Sequence, residues 1–425
     1  MDGVSPTHAG DLCRLTATEA RAAMRAGEIT SLELVQASLG RIAARDDRIR
    51  AWVTMNPMAE EEAAQIRPDD PRPLAGVPVA IKDMIDTGDL PTTHNSPLYG
   101  GHRPAADAPC VQVLRAAGAI VLGKTDTTEF AAAGRNAATG CPADPSRTSG
   151  GSSAGTAAAV ADCHVPLGLG TQTGGSTIRP ASFCGDFALK PSWGLISTEG
   201  VKRYAVSFDT IGLYARSVAD LMLLADVYAL PCAPALPDRR LRIGITRTPY
   251  FDRAEPETVA LFDTLAERLA PVADVVPFDL PDGFDEIDRL HKCVQFTEGA
   301  SALLNLERTR GALLHADFHD RVNHRMGFQS RERFEAYDRI ALLRMDLEKR
   351  LGEVDALIAP SAPGFAPKGR TPGDPIFNAP WTAMQMPVLN LPVPGLDLPL
   401  GFSLIGPRAC DRRVLAIGDK LTACL

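Results

Sequence analysis

Ser152 in Gly150-Gly151-Ser152-Ser153 and Ser176 in Gly174-Gly175-Ser176 each stand behind a glycine pair. Glycine lets a backbone turn tightly and come close to a bound group, so a serine placed there presents its hydroxyl beside backbone N–H groups. An attacking oxygen and the donors for a developing oxyanion can therefore come from one loop. Glycine and serine are also linker material. Here Val160, Val165, Leu167, Leu169, Ile178, Phe183, Phe187 and Leu189 are interleaved through residues 144–191 and would be costly to leave in water, which argues for a folded segment.

A hydroxyl is a poor nucleophile without a base. The candidate is Lys82, which follows the apolar run Val77-Pro78-Val79-Ala80-Ile81 and precedes Asp83 and Thr92-Thr93. Two readings stand side by side. A lysine at a strand end commonly reaches water with its ammonium. A buried lysine has its charged form disfavoured by desolvation, and its amine can then accept a proton.

Several separate blocks carry a resemblance: Gly76-Val77-Pro78 leading to Lys82, Thr92-Thr93, Gly123-Lys124-Thr125 with Glu129-Phe130, GGSSAG from Gly150, and GTQTGGSTIRPASFCG from Gly170. In order and spacing they resemble the amidase signature family, from about Leu12 to the C-terminus, and in wording most nearly its malonamidase-type members. The resemblance implies a Ser-Ser-Lys triad, with Ser176 as nucleophile, Ser152 as bridging serine on a cis peptide and Lys82 as base. It implies an oxyanion hole from the N–H groups of Thr173, Gly174, Gly175 and Ser176. Neutral Lys82 could then deprotonate Ser152 while Ser152 takes the proton of Ser176, a relay without histidine.

Five positions depart from the commonest family wording: Gln172 stands for Asp, Ala154 for Gly, Asn95 for Gly, Asp126 for Asn, and Arg179 lies one residue later than usual. Gln172 keeps a hydrogen-bonding side chain but loses a negative charge. Arg179, three residues after Ser176, is either a substrate-binding guanidinium for a carboxylate or a structural anchor.

The elements that must position these residues read as α/β. Val77–Ile81, Cys110–Ala117 and Ala119–Leu122 alternate strand, helix and strand, which implies a mixed, mostly parallel central sheet with helices on both faces. Residues 11–46 read as two helices, capped at Thr16 or Thr18 and at Ser31. Ser207-Phe208-Asp209-Thr210-Ile211-Gly212 reads as scaffold beside the site. Residues 283–353, without proline, read as a helical layer at the site's mouth. Within it His315 and His319 have metal-like spacing but no HExxH context, so no metal is expected. No internal boundary is visible, and residues 1–425 are read as one domain.

With 425 residues, 45% of them hydrophobic, the chain can bury a large core. A net charge of −8 argues against nucleic acid as a partner. There is no apolar run of about 18 residues and no signal-like start, so the expectation is a cytoplasmic protein with no membrane association. The nine cysteines are scattered without a CxxC pair, which fits reduced thiols. The function expected is hydrolysis of a small carboxylic amide through a seryl acyl-enzyme, without a cofactor, acting on a small-molecule substrate and with a homodimer left possible. The alternative is the amidase-like subunit of a tRNA-dependent amidotransferase.

Overall fold

The computed structural model describes residues 12–231 and 235–425; residues 1–11 and 232–234, with Cys232 among them, lie outside the description. The strands are β1 Trp52–Met55, β2 Pro78–Lys82, β3 Ile120–Thr125, β4 Leu167–Gln172, β5 Phe187–Lys190, β6 Thr210–Ala215, β7 Leu241–Ile245, β8 Ala273–Pro277, β9 Ala356–Pro360, β10 Val388–Pro392 and β11 Gly401–Ile405. They form one 11-stranded sheet in the order β1-β3-β2-β4-β6-β5-β10-β11-β9-β7-β8. It is mixed, as expected, but parallel pairing is confined to two flanks, β3-β2-β4 and β9-β7-β8. The middle, from β4 through β6, β5, β10 and β11 to β9, is antiparallel throughout, so the expected mostly parallel pattern is narrowed to the flanks. The reason lies in the connections. The strand-helix-strand spacing of residues 77–122 forces a parallel crossover, whereas β5 to β6 and β10 to β11 are joined by loops that carry no helix.

Strand alternation divides the core. Val79 and Ile81 of β2, with Leu167 and Leu169 of β4, face a cluster that also contains Leu221, Leu265 and Ile417. Ala80 of β2 and Ile120 and Leu122 of β3 face the other side, where helix Ala154–Ala161 is packed. Helices Ile287–Arg310 and Ser330–Leu351 cover that second side further along, over Leu357, Val388 and Ile405.

At the N-terminal side, Thr16 caps helix Ala17–Ala26 and forms a reciprocal pair with Glu19. The second helix, Ser31–Ile49, is capped by Thr30 and Glu33 instead of Ser31. The Ser31 hydroxyl, one residue inside, donates to the Gly76 carbonyl at 3.0 Å and so ties this helix to the entry of β2. Cys110, Cys141, Cys163, Cys184, Cys293, Cys410 and Cys424 are free thiols. Among the described residues no helix is long and apolar enough to cross a membrane.

Candidate active site

Lys82 ends β2 on the same face as Ala80, beneath helix Ala154–Ala161, and is completely buried. The snorkelling reading therefore gives way to the buried one. The helix can lie this close because β4 carries glycine below it: a Cβ on Gly170 would stand 2.7 Å from Ser153 Oγ. Lys82 Nζ lies 2.6 Å from Ser152 Oγ, 3.0 Å from Ser153 Oγ and 2.7 Å from Thr171 Oγ1. Burial holds its pKa well below the usual lysine value, with the charge of Asp209 opposing that shift in part.

Three contacts use every hydrogen-bonding group of the amine: an ammonium donates to all three oxygens, whereas the neutral amine that burial favours donates to two and accepts from the third. Ser153 directs its own proton to the Thr171 carbonyl at 3.1 Å, so it receives one N–H from Lys82. The lone pair is left to accept from Ser152 or Thr171. Ser152 follows Gly151 through a cis peptide bond and is 3% exposed.

Ser176 is 8% exposed, the most open of these side chains. Its backbone carbonyl accepts from Ser153 N–H at 3.3 Å, which joins the two glycine-serine loops. The hydroxyls of Ser152 and Ser176 are not in direct hydrogen bond. The structure thus brings Lys82 and Ser152 together and leaves the second link of the relay without a direct hydrogen bond.

Residues 173–176 are held by their carbonyls. His291 Nε2 lies 2.9 Å from Thr173 O, with the ring stacked on Phe208 at 4.6 Å. Burial pulls this imidazole down to about 4, so at neutral pH it is uncharged and donates to that carbonyl. Thr382 Oγ1 donates to Gly174 O at 2.7 Å. With the carbonyls fixed outward, the N–H groups of Thr173, Gly174, Gly175 and Ser176 meet no protein acceptor among the described residues. Free donors in one tight loop are what an oxyanion needs.

Gln172 continues this bracing. Its Oε1 accepts from Thr177 N–H at 2.8 Å and Ile178 N–H at 3.0 Å, and its Nε2 donates to Thr382 Oγ1 at 3.0 Å. An aspartate could replace the acceptor but not the donor. Gln172→Ala should cost about 1–3 kcal/mol by orphaning two buried N–H groups, and should lower turnover along with it. Unchanged urea denaturation and unchanged turnover would show that the brace is idle.

Arg179 is 4% exposed and makes no carboxylate ion pair among the described residues. Its Nε donates to Pro372 O and its Nη2 to Gly151 O, both at 2.6 Å, while Nη1 is buried without a partner. Burial draws the guanidinium down to about 10. Nη1 and Asn378 Oδ1 close over Gly175: a Cβ there would stand 2.9 Å and 2.5 Å from them, so this position must be glycine.

Sequence reasoning missed His291, Thr382 and Thr171 as parts of the site, and took Asp209 for scaffold. Thr171 lies in the run Gly170 to Ser176 and Asp209 in the run Ser207 to Gly212, so both have a local signal. His291 and Thr382 carry no local signal, because each reaches the loop from another element. His315 caps helix Ala316–Val322 and His319 pairs with Glu307 at 2.6 Å. Among the described residues no group of His, Cys, Asp and Glu has the arrangement of a metal site.

A family model described as Amidase matches residues 33–415. The A-type subunit of glutamyl-tRNA(Gln) amidotransferase from Chloroflexus aurantiacus is 34% identical over 469 residues, covering 96% of this chain and 96% of that one. Its counterpart in Thermus thermophilus is 34% identical over 454 residues, covering 94% and 95%. Among solved structures, one described as "Crystal structure of amidase" superposes with a TM-score of 0.89 at 28% identity, over 97% of this chain and 100% of that one. The native peptide amidase from Stenotrophomonas maltophilia gives 0.79 at 28%, over 98% and 97%.

These relatives carry another name than the malonamidase type, so that finer likeness is not supported. They also overturn the expectation of a small-molecule substrate with no nucleic-acid partner and a possible homodimer: the relatives are named as subunits of an amidotransferase of glutamyl-tRNA(Gln). Net charge sums a whole surface; it does not say which part of an assembly meets a polyanion.

Proposed function

The chain belongs to the amidase family, whose enzymes act on amide carbon–nitrogen bonds, and from that premise we propose that it is the ammonia-releasing subunit of a tRNA-dependent amidotransferase. The observation that carries the chemistry is the 2.6 Å contact between buried Lys82 Nζ and Ser152 Oγ. Neutral Lys82 takes the proton of Ser152 as Ser152 takes that of Ser176, and Ser176 Oγ attacks the amide carbonyl. The oxyanion receives the N–H groups of Thr173, Gly174, Gly175 and Ser176. The relay runs back to protonate the leaving nitrogen, the C–N bond breaks, and water then hydrolyses the seryl ester. Likeness over nearly the full length of the amidotransferase subunits supports the assembly assignment.

A stand-alone amidase is the second reading, supported by the solved structures described as amidase and peptide amidase. In both readings the unpartnered Nη1 of Arg179, beside Gly175, offers a donor to an acidic group of the substrate. One experiment separates them: ammonia release from a panel of acidic and neutral amides, by the purified chain alone and with amidotransferase partner subunits and glutamyl-tRNA(Gln). The expected result is slow release alone and strong stimulation by the partners. Full turnover of a simple amide without them would favour the stand-alone reading, and equal use of acidic and neutral amides would remove Arg179 from substrate binding.

A further inference from the structure

Asp209 stands just before β6, in a turn where its own N–H donates to Ala205 O at 2.8 Å. Its carboxylate accepts three hydrogen bonds: Thr173 Oγ1 at 2.5 Å on one oxygen, and the N–H groups of Tyr204 at 2.8 Å and Ala205 at 3.1 Å on the other. No lysine or arginine forms an ion pair with it among the described residues. A buried carboxylate without a paired cation is costly to keep. Structure alone would be served as well by an uncharged acceptor.

Two features connect this carboxylate to the chemistry. Thr173 belongs to the loop whose N–H groups are free, so Asp209 fixes one end of that loop while His291 fixes the Thr173 carbonyl. Asp209 also borders a cavity of about 10 Å³ together with Thr171, a direct partner of Lys82. That space admits no more than about one water molecule.

We infer that Asp209 is a positioning residue, anchoring the loop that carries Ser176 and setting the electrostatic surroundings of Lys82. The inference rests on the catalytic reading of Lys82 and Ser176 given above. The charged and titratable groups around Asp209 are Lys82 of β2, Lys202 on the cavity wall, Tyr204 with Arg321 on its hydroxyl, His291 beyond Thr173, and Glu298 of helix Ile287–Arg310. Desolvation raises the Asp209 carboxyl to about 6, opposed by its hydrogen bonds, so it is charged at neutral pH. Its negative charge favours the protonated form of Lys82. Removing that charge lets Lys82 stay neutral to lower pH.

The test follows the rate at which a fluorophosphonate labels Ser176 as pH is varied, using the full chain. Asp209→Asn keeps hydrogen-bonding capacity and removes the charge. Its acid limb should move to lower pH by about one unit, with a slower plateau from the altered loop anchor. Asp209→Ser, smaller and equally uncharged, should shift the limb in the same direction and serves if the asparagine variant does not fold. An unmoved limb in a folded, uncharged variant overturns the inference, whatever happens to the plateau. The catalytic reading is checked separately with Lys82→Ala. Labelling that requires Lys82, with no shift in the Asp209 variants, sinks only the inference about Asp209; labelling that ignores Lys82 sinks both.

Discussion

Ser176→Ala is expected to lower kcat by at least about 10,000-fold while leaving the melting temperature within roughly a degree or two of the parent. The two halves of that expectation have different causes. The hydroxyl of Ser176 has no protein partner among the described residues, and the contacts that hold the residue use its backbone: Ser153 N–H and Tyr214 Oη both donate to its carbonyl. Removing Oγ therefore leaves the loop anchored and takes away only the atom that forms the ester. Ser152 cannot substitute, because it is 3% exposed and its oxygen sits 2.6 Å from Lys82 Nζ. Single-turnover ammonia release measures the loss, and peptide mapping after fluorophosphonate treatment locates the nucleophile. Label recovered on Ser152 or Ser153, or turnover that survives the substitution, would show the nucleophile to be misassigned.

The sequence makes the chemistry legible wherever its parts are contiguous. Gly150 to Ser153 and Gly174 to Ser176 announce themselves by composition, and the apolar run before Lys82 marks a strand with a charge at its end. What a linear reading cannot supply is the choice between a solvated and a buried lysine. That choice depends on how closely helix Ala154–Ala161 approaches β4, hence on Gly170 meeting Ser153 across the interface. The bracing of residues 173–176 was illegible for the same reason. His291 reaches Thr173 across 118 residues and Thr382 reaches Gly174 across 208, and neither has a local pattern. Sheet topology failed at the middle because one clear crossover in residues 77–122 stood for the whole. Antiparallel β10 and β11 are joined by a proline- and glycine-rich loop that gives no sign of direction.

Lys82→Met should abolish labelling of Ser176 and yet raise thermal stability. The activity argument is that the thioether has no lone pair basic enough to take a proton from Ser152, so the loss should be about 1,000-fold or more. Lys82→Arg should be equally inactive, because a guanidinium stays protonated and is too large for the space among Ser152, Ser153 and Thr171. The stability argument runs through proton binding. In the unfolded chain the lysine binds its proton with the usual affinity, whereas burial holds the folded pKa well below 10.5. Between those two values the unfolded state binds more protons, so the native protein gains stability as pH rises through the window and carries the full penalty at and below the folded value. Methionine fills similar volume without that penalty. Ser153 and Thr171 retain each other, since Ser153 Oγ donates to Thr171 O and accepts from Thr171 N–H, both at 3.1 Å. The wild-type pH–rate profile should show the same group from the other side, with activity falling toward acid as Lys82 becomes charged and holding level above. Melting curves across pH test the linkage. A Lys82→Met variant that melts below wild type at neutral pH would mean that the three hydrogen bonds of the lysine outweigh its burial penalty, and would overturn the stability half of the expectation.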